Sequence, residues 1–74
     1  MYVMVSFESS NRRYTYKYIG NKLPEKNQLL VVEVPKGFKF ALAKTVATTE
    51  EIPPFECKKA FEDLTTMRKY FKGE

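Results

Sequence analysis

The chain has 74 residues, 15% of them aromatic, a net charge of +4, one cysteine and no histidine. Cys57 alone excludes an intramolecular disulfide, and without histidine the usual zinc sites and any Ser-His or Cys-His catalytic pair are excluded. A domain this short buries only about 60% of its unfolded surface, so its stability rests on apolar packing by six Phe and five Tyr.

Residues 2–7 alternate, with Val3, Val5 and Phe7 on one face, and predict a first strand. Glu8-Ser9-Ser10-Asn11 is a polar turn cluster. Residues 12–19 form the second strand, with Tyr14, Tyr16 and Tyr18 on one face and Arg13, Thr15 and Lys17 on the other. If Arg13 and Lys17 face solvent, the tyrosines face inward, although a curved wall can expose Tyr14 or Tyr18 near its end. Residues 22–28 are irregular, and Leu23, before Pro24, is expected to plug one end of the core.

The run Leu29 to Val46 is the centre of the chain. Leu29 to Val34 is a Val-rich third strand, Pro35-Lys36-Gly37 a tight turn, and Phe38 to about Thr48 a long fourth strand. Phe38, Phe40, Leu42 and Val46 share a phase and are expected to form its apolar core face. Lys44 falls on the same phase, so a bulge near Ala43-Lys44 is expected to turn it to solvent. A short fifth strand fits around Thr48 to Ile52.

Pro53-Pro54 ends the β composition. Beyond it Cys57, Ala60, Phe61, Leu64, Met67 and Phe71 keep helical spacing, and predict one amphipathic helix over residues 54–72. Cys57 on that stripe reads as a buried, inert thiol. The fold class expected is therefore mostly β with one C-terminal helix: a single domain, residues 1–74. Its barrel part is 1–48, a small, strongly bent SH3-like antiparallel sheet or barrel of four to five strands. Residues 49–53 are a linker. The helix caps the open end or lies across one face.

Charge is uneven along the chain. Residues 1–48 carry eight basic and three acidic groups, residues 49–74 five and six. A basic β part suits a polyanion, through Arg12, Arg13, Lys17, Lys36, Lys39 and Lys44, with tyrosine edges for stacking. Lysines outside a sticky hairpin also block edge-to-edge pairing. Phe55, Tyr70 and Phe71 flank the helical stripe and are the candidates for a protein-docking face. No cofactor motif, metal cluster, glycine-rich phosphate loop or catalytic constellation is recognisable, so an enzyme is not expected. No apolar run approaches the roughly 20 residues that span a membrane. A lone cysteine and the absence of a signal-like start fit a soluble, cytoplasmic protein.

Five segments carry a resemblance: Tyr2-Val3-x-Val5-x-Phe7, Arg13-Tyr14-x-Tyr16-Lys17, Leu30-Val31-Val32-x-Val34, Gly37-Phe38-Lys39-x-Ala41 and Ala43-Lys44-x-Val46. Over residues 1–47 the chain resembles small phage and prophage proteins. More distantly it is similar to the N-terminal 3′-DNA-binding domain of the primosomal helicase PriA. The resemblance implies an SH3-like barrel in a phage-encoded accessory protein, in the host cytoplasm, with single-stranded DNA ends or a replication-related partner as ligand. It supplies no pocket motif and no counterpart for the C-terminal helix. The leading functional expectation is a non-catalytic module, monomer or edge-paired homodimer, that binds and modulates a host protein. The alternative is a nucleic-acid-binding module using the basic face. No small-molecule substrate is expected.

Overall fold

The computed structural model describes residues 1–7, 12–34 and 40–72. The expected turns at residues 8–11 and 35–37, with Lys36, Phe38 and Lys39, lie outside the described residues. The elements are β1 (Tyr2–Ser6), β2 (Tyr14–Ile19), β3 (Leu29–Glu33), β4 (Phe40–Thr49), β5 (Lys59–Phe61) and α1 (Leu64–Phe71). The strands close into a barrel in the order β1-β2-β5-β3-β4, with β4 returning to β1. The domain is thus a small, mostly β barrel with one C-terminal helix, as the sequence implies. Four of its ladders are antiparallel and one, β2 with β5, is parallel.

Period-two patterning decides what points inward. Val3, Val5, Tyr16, Tyr18, Leu30, Val32, Ala43 and Ala60 form the barrel core, and Phe7 packs against it. Thr45 is the buried polar residue among them, and its hydroxyl donates to the Gln28 carbonyl at 2.8 Å. Phe7 closes one end edge-on against Tyr14, ring centroids 5.4 Å apart.

The fourth strand departs from expectation. Its inward residues are Ala43 and Thr45, while Phe40, Leu42 and Lys44 face out. The bore of a five-stranded ring is narrow, and the valines, Leu30 and two tyrosines already fill it, so β4 contributes small side chains. The irregularity falls later than the expected site at Ala43-Lys44. Met4 pairs with Ala47 and Val5 with Thr45, which leaves Val46 as the extra residue of a bulge. Lys44 is exposed because its whole face is outward. Leu23 plugs nothing, being 64% exposed, and Pro24 is the buried member of that pair.

The helix predicted over residues 54–72 is only its last part. Leu64, Met67 and Phe71 keep the helical spacing, but Ala60 and Phe61 belong to β5. Asp63 is the reason for the boundary. Its carboxylate accepts the Thr66 N–H at 2.8 Å and caps α1. A parallel neighbour for β2 requires a crossover. Residues 50–58 provide it, and residues 51–55 share a cleft with Met4 and Thr15 on the outer wall of β1 and β2. Cys57 lies on this crossover, partly exposed. The fifth strand expected near residues 48–52 is instead the end of β4 and the start of the crossover.

β5 has only three residues, so other bonds hold it. Lys17 N–H donates to the Lys58 carbonyl at 2.9 Å, and Glu62 N–H to the Ile19 carbonyl at 3.0 Å. The Glu33 carboxylate accepts the Lys59 N–H at 2.8 Å, and the Glu62 carboxylate accepts the Asn21 N–H at 2.8 Å. Ala60 faces the core. Phe61 faces out, fully buried under α1, with its ring 5.4 Å from Tyr70, 5.7 Å from Phe71 and 6.3 Å from Phe40. The helix therefore lies across the outer wall. Eight residues are too few for a stable helix alone, so Phe61 is its anchor.

Gly20 ends β2 where nothing larger fits. A Cβ there would lie 2.5 Å from the Tyr18 hydroxyl oxygen and 2.8 Å from Glu62 Cβ. Two substitutions test this packing by chemical denaturation. Phe61→Ala is expected to cost about 3–5 kcal/mol, and Gly20→Ala about 1–3 kcal/mol through overpacking. Wild-type stability in either variant would contradict the packing described.

Candidate functional site

Among the described residues, the outer wall of β3, β4 and β5 carries a contiguous apolar surface. Leu29 opposes Lys44, Val31 opposes Leu42, and Glu33 opposes Phe40; Val31 also opposes Phe61. All of these residues share the outward phase. Val31 and Phe61 are covered, but Leu29 is 56%, Leu42 60% and Phe40 36% exposed. Phe71 of α1 continues the surface, its ring 5.7 Å from Phe40 and its side chain more than half exposed. Tyr70 completes it, with the Lys59 ammonium 5.5 Å from its ring centroid. The result is a strip, Leu29–Leu42–Phe40–Phe71, bordered by Lys44, Glu33 and Lys59.

Two of the three residues singled out for protein docking, Tyr70 and Phe71, thus lie on one surface. Phe55 does not join them. It sits on the crossover beside β2, 58% exposed. Phe40 and Leu42 are hidden in the sequence because the apolar phase of β4 reads as a core face, and Leu29 because its Val-rich strand shows no alternation. The signal that identifies them is Lys44, which shares their phase and is costly to bury.

The basic candidates fall at the two ends of β1. Arg12, Arg13, Lys17 and Lys44 are all exposed. Lys17 stands opposite Tyr2 at one end of β1, and Lys44 opposite Ser6 at the other, on the opposite flank. Arg12 and Arg13 precede β2 at the end away from Lys17. Lys36 and Lys39 lie outside the described residues. Tyr16 and Tyr18 are buried, so of the tyrosine ladder Tyr14 alone, 39% exposed, presents a substantial ring surface.

Among the described residues, shifted titration follows from burial and from hydrogen bonding. The Tyr18 hydroxyl donates to the Lys22 carbonyl at 2.6 Å, and burial, helped by Glu62 and Asp63, pushes its pKa up to about 12. Burial also raises Tyr16, with Tyr14 and Glu33 adding to it. Desolvation raises the Cys57 thiol above its ordinary value. The hydrogen bonds from Thr66 hold Asp63 below the usual carboxylate range. Among the described residues no cluster of acidic, cysteine or histidine side chains is placed to hold a metal ion. Nor is any described helix long and apolar enough to cross a membrane.

No family model, curated protein or solved structure matches this chain.

Because Tyr18 is raised in the folded state, the folded chain holds its proton after the unfolded chain has lost it. Its contribution is fully present below about pH 10 and is lost as pH climbs through about 12. A plot of unfolding free energy against pH should fall across that window, and Tyr18→Phe should flatten it. An equal slope in both proteins would contradict the buried hydroxyl.

Proposed function

We propose that the chain is a small, non-catalytic protein-interaction module that docks a partner on the strip Leu29–Leu42–Phe40–Phe71. The observation that carries this is Leu42, 60% exposed in the middle of a barrel wall between two other uncovered apolar side chains. Contiguous apolar surface is costly to leave in water and marks interaction sites. Aromatic residues at its centre and charges at its border suit an interface core and rim. The resemblance to small phage and prophage proteins supports a bacterial host protein as the partner, bound and modulated by an accessory factor. Lys17 stands at the other end of β1 from Arg13 and Lys44, and Tyr16 and Tyr18 are buried, which favours this reading over a nucleic-acid platform of stacking rings along a cationic track.

The test is affinity capture from nuclease-treated bacterial lysate with wild type and two variants. A stoichiometric protein partner should be retained by wild type and by Lys17→Glu, and lost with Leu42→Glu, whose fold should be intact because the side chain is outside the core. Recovery that nuclease abolishes, together with oligonucleotide binding that weakens steeply with salt, would overturn the proposal in favour of nucleic acid.

A further inference from the structure

We propose that the uncovered half of β2 receives an extended acidic peptide as an added strand, in the cleft beside Phe55. β5 pairs only with Lys17, Tyr18 and Ile19, whereas β2 begins at Tyr14. The direction of the backbone groups follows from two bonds. Tyr18 N–H turns toward β1, to the Met1 carbonyl at 3.1 Å, and Lys17 N–H turns the other way, to the Lys58 carbonyl at 2.9 Å. Alternate residues of a strand present their backbone groups to the same side. The N–H and C=O of Thr15 therefore face the side of β5 but fall beyond its start. Among the described residues no backbone hydrogen bond reaches Thr15 from that side.

Upstream of Lys58 the crossover leaves β2, and a cleft of about 340 Å³ opens between them. Tyr14, Thr15 and Phe55 line it, with Arg13 and Lys58 against a single carboxylate, Glu56. Each feature selects for the same ligand. A donor and an acceptor on one strand residue fit an extended main chain, as in strand addition to a sheet edge. Tyr14, 39% exposed, and Phe55, 58% exposed, offer apolar contact to one side chain of that chain. The excess of cations favours an Asp or Glu beside it. The cleft lies between β2 and the crossover and shares no lining residue with the strip on the outer wall of β3 and β4, so the two proposals stand or fall separately.

The test pans a random heptapeptide library against the full chain, then synthesises the most enriched peptide with and without N-methylation of its central amide. Enriched sequences should alternate β-branched residues with at least one Asp or Glu. The bound peptide should shift the amide resonances of Thr15 and Phe55 and leave those of Leu42 and Phe71 in place. N-methylation, Phe55→Ala and Arg13→Glu should each weaken binding at least about tenfold, and Leu42→Glu should not. A library without enrichment, a peptide indifferent to N-methylation, or one whose shifts map to Leu42 and Phe71 would overturn the proposal.

Discussion

The barrel depends on three residues, Lys59–Phe61, that fill the gap between β2 and β3. β2 and β3 do not pair with each other, so without this short strand the sheet β2-β1-β4-β3 has two open edges. A three-residue strand supplies few ladder bonds. Its flanks compensate: the Lys58 carbonyl and Glu62 N–H bond β2, the Glu33 carboxylate takes the Lys59 N–H, and the Glu62 carboxylate reaches back to Asn21. Ala60 and Phe61 then divide the work. One completes the inner core, while the other anchors the helix outside.

Closure sorts side chains by size. Six large residues fill the bore, so the outward face of β4 carries Phe40 and Leu42, and α1 covers only part of it through Phe71 and Tyr70. The exposed strip is thus a consequence of a small ring with one short helix. The crossover that delivers β5 parallel to β2 has a second consequence. It approaches β2 late, at Lys58, and among the described residues leaves Thr15 without a strand partner on the side away from β1. The two candidate contacts thus follow from ring size and from how β5 enters.

Much of the fold was legible in the residues. Strict alternation placed β1 and β2 and turned Tyr16 and Tyr18 inward against Arg13 and Lys17, and the Val-rich run Leu29 to Val34 placed β3. The break in β4 is legible too, but its place is not: Lys44 looks like an exception on an apolar inner face, whereas it marks an outer one. Size, not hydrophobicity, chose Ala43 and Thr45 for the interior, and size selection depends on a ring whose closure no local pattern announces. β5 was hidden for a similar reason. Cys57, Ala60 and Phe61 extend the helical spacing of Leu64, Met67 and Phe71, and only the capping geometry of Asp63 separates them. Of the candidate site, Tyr70 and Phe71 were legible from their position beside the stripe. Phe40 and Leu42 were not, because large apolar residues at period two look like a core face.

The central claim is that β5 closes the ring over Lys17–Ile19 and stops there. Residue-resolved hydrogen exchange of the folded chain tests it most directly, since backbone protection varies with local bonding. The Lys17 and Glu62 amides should exchange as slowly as those of Leu30 and Val32, at the rate set by global unfolding. The Thr15 amide, two residues from Lys17 on the same side of the same strand, should exchange orders of magnitude faster. Fast exchange at Lys17 and Glu62, or equal protection at Thr15 and Lys17, would contradict this account.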